Sequence, residues 1–210
     1  FSADDGVNGR ELWRTNGTVA GTGLVKDIVV GAAGSNPTNL TIGSPLVAGV
    51  VTPTLFFTVN SDGVNGEELW KTRGALDGTD TVQVYEPGAA GSPTGLTAVQ
   101  SAGPPATFML FFVLGNDLWK SDGTTAGTVL VKSFASPPDN LKAASGTLFF
   151  AADDGSGSGV ELWKADGTGA TLVKDIQPGA AGSSPQELLA IGGTVYFSAD
   201  DGVNGRELWR

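Results

Sequence analysis

The sequence predicts an all-β protein built from tandem four-stranded antiparallel units, and three observations lead to this prediction. All five tryptophans lie in one recurring acidic-Leu-Trp motif, which is found at Glu11-Leu12-Trp13, Glu68-Leu69-Trp70, Asp117-Leu118-Trp119, Glu161-Leu162-Trp163 and Glu207-Leu208-Trp209. The motifs recur 44 to 57 residues apart, close to the length of four-stranded repeat units. The chain is rich in Gly (32) and Pro (11) and shows no sustained 3.6-residue apolar period, so turns should be many and helices few.

Each unit contains four strand candidates separated by turns. In residues 139–176 the expected strands are 140–144, 147–152, 160–164 and 171–176, and Gly, Asn and Asp lie between them. These three residue types tolerate positive φ or form Asx turns, so they favour tight connections.

The second and third strands are apolar on both faces. The run Leu148-Phe149-Phe150-Ala151 does not alternate with polar residues, and Leu162 and Trp163 point to opposite faces. A strand with one solvated face would alternate, so each sheet should be covered on both sides. This favours the blades of a β-propeller, with a stacked β solenoid or array as the alternative.

The repeats divide the chain into five units. They are a partial unit at 1–38 (strands two to four), a unit at 39–94 with an insertion at 43–53, units at 95–138 and 139–185, and a partial unit at 186–210 (strands one to three). Residues 1–14 are identical to 197–210, so the chain begins and ends at the same phase of its repeat. We interpret it as an excerpt of a longer array, or as a polymer segment whose copies complete each other's sheets, with a closed ring as the competing outcome.

The residues after the motif carry a family resemblance. Glu161-Leu162-Trp163-Lys164-Ala165-Asp166-Gly167-Thr168 and its counterparts resemble the bacterial ELWxxDGT repeat family, and the likeness extends along essentially the whole chain. Two places depart from the pattern: Asp-Gly-Thr is displaced to Asp77-Gly78-Thr79, and the acidic turn before Asp117 shrinks to Leu114-Gly115-Asn116. The resemblance implies a large secreted or cell-surface bacterial protein with propeller-like repeats, and it implies no established activity.

Acidic, glycine-containing turns precede the motif and are candidate calcium sites. Their paired carboxylates are Asp4, Asp5, Asp153, Asp154, Asp200 and Asp201. Calcium binds oxygen ligands from glycine-kinked loops, but these turns lack the alternating Asp-x-Asp-x-Asp spacing and the closing glutamate of the calcium loop. The alternative is a hairpin turn in which Asp caps backbone N–H groups and Gly takes positive φ. No other cofactor is expected.

The motif residues should have structural roles. Because Glu11, Glu68, Glu161 and Glu207 recur once per unit, we expect each to be a cross-strand partner or an exposed strand residue, not a catalytic acid. We expect the tryptophans to form the core between units. A set of sugar-stacking platforms is the alternative.

Composition excludes several functions. The chain has no histidine and no cysteine, which removes Ser-His, Cys-His and thiolate chemistry. A net charge of −10 disfavours nucleic acid and anionic membranes as partners, and no apolar run is long enough to insert into a bilayer.

We therefore expect a non-enzymatic, extracellular structural or adhesive repeat protein of a bacterial surface. Its expected partners are flanking repeats or further copies joined end to end, with surface glycans as a further possibility. A glycan-binding propeller is the first alternative, and an enzyme acting on polysaccharide with two carboxylates is the second.

Overall fold

The fold is all-β, which confirms the predicted fold class. The computed structural model describes residues 1–47, 50–63, 66–75, 82–85, 91–101 and 107–210. Within these ranges there is no helix, and the strands form five antiparallel sheets of three or four strands and one two-stranded hairpin. Among the described residues, no helix has the length and apolar character that a membrane crossing requires.

The strands follow the chain in simple up-and-down order, one sheet to each unit. Unit one contains β1 (Ser2–Asp4), β2 (Arg10–Arg14) and β3 (Gly23–Lys26). Unit two contains β4 (Thr38–Gly43), β7 (Thr54–Val59), β8 (Glu68–Thr72) and β9 (Val82–Tyr85), and the insertion at 43–53 forms the hairpin β5 (Leu46–Val47) and β6 (Val50–Val51).

The remaining three units repeat this order. Unit three contains β10 (Thr94–Gln100), β11 (Phe108–Leu114), β12 (Asp117–Ser121) and β13 (Val129–Ser133). Unit four contains β14 (Asp139–Ala144), β15 (Thr147–Ala152), β16 (Glu161–Ala165) and β17 (Ala170–Lys174). Unit five contains β18 (Gln186–Ile191), β19 (Thr194–Asp200) and β20 (Arg206–Trp209).

The acidic-Leu-Trp motif lies inside the sheet wherever four strands are present. The strands β8, β12 and β16 are each paired on both sides, as expected for a third strand. In the three-stranded sheets, β2 is central and β20 is at the edge.

The hydrophobic core consists of clusters between successive sheets. Leu12 packs with Phe57 between units one and two, and Leu162 packs with Phe197 between units four and five. Similar clusters join units two and three and units three and four. Burying each large apolar side chain contributes about 1.5–3 kcal/mol, which accounts for the apolar character of both faces of the sheets.

Neighbouring sheets meet along their first strands. The strand β10 lies against β4 and β14, and β14 lies against β18. We call these four the inner strands. Each contains a β-bulge with a left-handed residue: Asn39 (φ 52°), Gly95 (φ 63°), Asn140 (φ 56°) and Glu187 (φ 55°).

The first and last sheets do not pair with each other among the described residues. Ala3 pairs with Glu11 in β2, and Leu208 pairs with Ser198 in β19. The sheets therefore form an open series, and the described strands close no barrel.

Candidate functional site

The motif glutamate is fully buried in units one and four, and it organises the connection to the next unit. The Glu161 carboxylate accepts hydrogen bonds from the backbone N–H groups of Ile176 (3.2 Å), Gln177 (3.1 Å) and Ser183 (2.9 Å), and from the Ser183 hydroxyl. The Glu11 carboxylate accepts from Val29 N–H (3.1 Å), Ser35 N–H (2.9 Å) and the Ser35 hydroxyl. We call this arrangement the glutamate node. In each of these units, the node holds the end of the fourth strand and the connector after it against the third strand, which carries the glutamate.

The connector serine then reaches the following unit. The Ser183 carbonyl accepts a hydrogen bond from Asp200 N–H (3.1 Å), and the Ser35 carbonyl accepts one from Asn60 N–H (3.1 Å). One buried carboxylate therefore positions the residue that bonds two consecutive sheets.

Paired glycines allow the connector to approach the motif closely. Gly159 and Gly182 have φ of 65° and 64°. A Cβ atom on Gly159 would lie 2.7 Å from the Gly182 nitrogen, and a Cβ on Gly182 would lie 2.4 Å from the Val160 nitrogen. Gly9 and Gly34 form the equivalent pair in unit one. The sequence contains a signal for this contact, because a Gly two residues before Glu and a Gly-Ser in the connector recur together.

Of the two positions expected for the motif glutamates, cross-strand partner or exposed strand residue, exposure was wrong for three of them, which lie opposite a residue of the neighbouring strand but are buried. Glu11, Glu68 and Glu161 are buried to 1% exposure or less, and only Glu207, on the edge strand β20, is exposed. Glu68 accepts hydrogen bonds from the Ser61 N–H (3.0 Å) and hydroxyl (2.7 Å). The alternation of residues along a strand could not reveal this burial. A buried carboxylate needs hydrogen-bond donors, and here the donors lie outside the strand that carries the glutamate. The buried carboxylates are engaged by structural donors, which argues against a catalytic role.

Four of the five motif tryptophans lie against a residue of the preceding unit. Trp163 is buried, with 6% of its surface exposed, and the other four are half-buried. The residue opposite the motif leucine of one unit lies over the tryptophan ring of the next. The pairs are Lys26 with Trp70 (5.7 Å), Lys132 with Trp163 (5.2 Å) and Lys174 with Trp209 (5.1 Å), and in unit two Tyr85 with Trp119 (5.2 Å). These ring contacts join successive units in one direction.

The basic residue after each tryptophan makes a second forward contact. Lys71 and Lys120 donate to the carbonyls of Gly123 (2.6 Å) and Gly167 (2.5 Å) in the following turn, and Arg14 donates to the Gly74 carbonyl. Gly74 follows Lys71 by three residues, as Gly123 follows Lys120, so Arg73-Gly74 occupies the Asp-Gly turn position of unit two. The displaced Asp77-Gly78-Thr79 lies outside the described residues.

The candidate calcium carboxylates cap their own turns. Asp4, Asp153 and Asp200 accept hydrogen bonds from the N–H of the glycine two residues later. Asp5 accepts from the N–H groups of residues 7 and 8, Asp201 from those of residues 203 and 204, and Asp154 from that of Ser156. Within the described ranges, no three acidic side chains gather to hold a metal ion. The structure thus brings each Asp pair together in a capped turn, and calcium binding stays a prediction.

Hydrogen bonding lowers the pKa of several turn carboxyls. The Asn8 and Val7 N–H groups lower the pKa of Asp5, and those of Asn204 and Val203 lower the pKa of Asp201. The Ser156 hydroxyl is the main cause that lowers the pKa of Asp154, with a smaller effect from the charge of Lys132, whose ammonium lies 3.5 Å away. These groups favour the charged form because the donors bind the carboxylate.

Comparison with known proteins gives few matches. No protein-family model matches the chain, and no curated protein matches it. Among solved structures, the chain is similar to one from a structural and mechanistic study of two prolyl endopeptidases, with 14% sequence identity and a TM-score of 0.48. That alignment covers the whole of this chain and 31% of the other, so the chain spans about a third of the length of that protein.

Proposed function

We propose that this chain is a non-enzymatic structural repeat protein of a bacterial surface, whose recurring sequence pattern serves to join one β unit to the next. The proposal rests on the contacts that the recurring residues make. The glutamate, the tryptophan, the strand-four lysine and the basic residue after tryptophan all make contacts that build or cross unit boundaries.

The contacts between sheets are compatible with propeller blades, and the open series that the described strands form is consistent with a stacked array. Successive sheets meet along their inner strands, as blades do around a common axis. Stability in such repeat proteins is approximately a sum of unit and nearest-neighbour terms, so each forward contact adds to the cohesion of the series.

The two end faces fit a further repeat unit as partner. Phe1 is 50% exposed, whereas its equivalents Phe150 and Phe197 are 0% and 4% exposed. Leu208 is 77% exposed, whereas the equivalent Leu162 is 4% exposed. We propose that flanking repeats of the same chain, or further copies joined end to end, cover these faces through head-to-tail contacts. The extracellular or cell-surface location rests on the family resemblance.

Sedimentation velocity over a range of concentrations tests the proposal. The 210-residue chain should form head-to-tail oligomers, and Leu208→Lys should abolish them, because a charge would replace the apolar contact. Val203→Lys is the matched control, because Val203 is 86% exposed and its counterpart in unit one, Val7, is also exposed at 69%. A monomer at every concentration, or equal effects of the two changes, would contradict the end-to-end arrangement.

The alternative functions differ in their support. A glycan-binding propeller that uses the tryptophans as platforms is disfavoured, since the preceding unit covers four of the rings. An enzyme acting on polysaccharide has no supporting observation among the described carboxylates.

A further inference from the structure

The strand β20 presents an open edge, and its sequence occurs a second time in the chain. Residues 197–210 repeat residues 1–14 without a difference, so β20 matches β2 residue for residue. Among the described strands, β20 is bonded only to β19, whereas β2 is bonded to β1 on one side and to β3 on the other. Unpaired strand edges present backbone donors and acceptors that can bind another strand. The structure therefore contains the same strand once with a fourth-strand partner and once without one.

The open edge already has the geometry of its bonded counterpart. The register of β19 with β20 equals that of β1 with β2, since Leu208 pairs with Ser198 and Leu12 pairs with Ser2. The hydrogen bonds of the preceding turns are also the same in the two units. A strand can therefore bind at β20 without rearrangement of unit five, and such preorganisation lowers the cost of association.

In unit one, the fourth strand and its connector are held by contacts to β2. The strand β3 pairs with β2 and places Leu24 opposite Trp13. The glutamate node bonds the connector to Glu11, and Asn36 N–H donates to the Arg10 carbonyl (2.9 Å). The three residues of β2 that receive these contacts have identical counterparts in unit five, namely Arg206, Glu207 and Trp209.

The glutamate of β20 is the charged group of this edge. Glu11 is fully buried by its connector, whereas Glu207 is exposed. The donors to Glu11 are the backbone N–H groups of Val29 and Ser35 and the Ser35 hydroxyl. A carboxylate binds N–H and O–H donors more strongly than a neutral acceptor does. Glu207 therefore supplies a charged acceptor that fits a segment with the donors of residues 29 and 35.

We propose that the open edge of β20 captures residues 23–36 of a second copy, which supply the fourth strand and the connector of unit five. The segment leaves β2 of its own chain for an identical strand, so the bonds lost at β2 are regained at β20. Exchange of an identical element between copies is a low-cost route to association. Unit two of the second copy follows the captured segment and packs on Leu208, as Phe57 packs on Leu12 within one chain. This capture rests on the end-to-end association proposed above and identifies the segment that is exchanged.

A synthetic peptide of residues 21–37 is the probe, because it carries the strand and the connector without the rest of unit two. Trp13 N–H donates to the Phe1 carbonyl of β1. Alternation along an antiparallel strand therefore directs the N–H of Leu12, and that of its counterpart Leu208, toward the fourth strand. With the 210-residue chain we expect a Kd below about 1 mM by titration calorimetry, and slower amide exchange at Leu208. The strand β3 keeps its place in unit one, because a segment of the same chain has the higher effective concentration.

Two variants of the peptide test the close contact without altering the fold of the protein. A Cβ on Gly34 would lie 2.7 Å from the Arg10 carbonyl oxygen, whereas a Cβ on Gly31 would meet no atom within 4 Å. Both glycines have positive φ, so alanine has a similar conformational cost at either position. We expect the Gly34→Ala peptide to bind at least about tenfold more weakly than the Gly31→Ala peptide.

Two variants of the protein test the glutamate. Glu207→Gln replaces the charged acceptor by a neutral amide, so it should weaken binding of the parent peptide at least about tenfold. Glu187→Gln is the matched control, because Glu187 is exposed on β18, at the opposite edge of the same sheet, and it should leave binding unchanged. Thermal melts show whether both variants are folded.

The capture site is overturned if the peptide does not bind, if it binds without slowing exchange at Leu208, or if either pair of variants binds alike. Head-to-tail oligomers of a chain that does not bind the peptide would support the proposed function and contradict the capture. Peptide binding by a chain that stays monomeric would support the capture site and contradict the end-to-end association.

Discussion

Units four and three each form a four-stranded sheet with the same strand order. The two units differ in the acceptor that bonds the backbone N–H group at the end of the fourth strand. In unit four, a long acidic turn separates β15 from β16, and Ile176 N–H donates to the buried Glu161 carboxylate. In unit three, β11 and β12 are joined by Gly115-Asn116 alone, and Phe134 N–H donates to the Asn116 carbonyl (3.0 Å). The equivalent N–H group is therefore bonded to a side-chain carboxylate in unit four and to a backbone carbonyl in unit three.

The two units also fill the adjacent space differently. Phe134 occupies the position of Ile176, and its ring meets Phe150 and Trp163 edge to face at 5.6 and 5.3 Å. Where the glutamate node is absent, an aromatic side chain thus supplies more of the packing with the next unit. At the end of the fourth strand, the backbone N–H group needs an acceptor and the space toward the next unit needs an apolar side chain. Different residues can meet these two needs.

Removal of the glutamate should have the largest effect. Glu161→Ala leaves the buried N–H groups of residues 176 and 183, the half-buried N–H of residue 177 and the Ser183 hydroxyl without an acceptor. At about 1–3 kcal/mol each, we expect a loss of about 4 kcal/mol or more in the free energy of unfolding. Asp117→Ala, the matched change in unit three, should cost less than about 1 kcal/mol. Urea denaturation measures the free energy of unfolding of both variants. Equal losses would show that unit four does not depend on its glutamate more than unit three depends on Asp117.

Unit three should depend instead on its aromatic residue. Phe134→Ala removes both edge-to-face contacts and leaves a cavity, so we expect a loss of about 3 kcal/mol. The double-mutant cycle with Trp163→Phe should show a coupling of about 0.5–1.5 kcal/mol. Additive effects in that cycle would mean that the ring contact contributes nothing beyond buried area.

The glycine pair should tolerate no side chain. Gly182→Ala places a Cβ 2.4 Å from a backbone nitrogen, so we expect a loss of about 2 kcal/mol or more. Gly157→Ala is the control, because Gly157 has positive φ (101°) with no atom within 4 Å of the added Cβ, and it should cost about 1 kcal/mol. Thermal melts that rank the two variants the other way would exclude close backbone packing at the node.

The lysine over Trp163 should be replaceable by an aromatic residue. Unit two already has Tyr85 in this position, with its ring tilted by 38° against that of Trp119. Lys132→Tyr should therefore change stability by less than about 0.5 kcal/mol, whereas Lys132→Ala should cost about 0.5–1 kcal/mol through loss of the cation–π contact. Chemical denaturation measures the free energy of unfolding of both variants. If Lys132→Tyr is as destabilised as Lys132→Ala, the positive charge is required.

Acid should weaken the turns of units one, four and five before the tight turn of unit three. The pKa values of Asp5, Asp154 and Asp201 are lowered by hydrogen bonding. A lowered folded-state pKa gives stability above the unfolded pKa, near 4, that is lost as pH falls through the folded value. Amide exchange measured between about pH 5 and pH 2.5 should show Val7 and Val203 losing protection earlier than Phe134, whose N–H donates to the Asn116 carbonyl of the tight turn. Simultaneous loss would contradict a local role of the carboxylates.

The sequence predicted much of the fold but less of the candidate sites. The strands predicted in residues 139–176 agree with β14 to β17 within two residues at each end, because alternation, turn residues and repetition are local signals. The sequence also indicated the capped Asp-Gly turns as one of two alternatives. It did not place Glu11, Glu68 or Glu161 in buried positions, because their partners are backbone groups that carry no sequence signature.

The sequence by itself determined the all-β class, the repeat and the third-strand position of the motif, because these follow from periodicity and local conformational preference. Only the tertiary structure decided which residues cross between units. Lys132 lies over Trp163 because the sheets pack face to face. Within unit four, the connector folds back along the sheet and brings Ser183 to Glu161. Each contact joins residues more than 20 positions apart. The physical reason is that burial and hydrogen bonding depend on what surrounds a group in space, whereas the sequence records only what adjoins it along the chain.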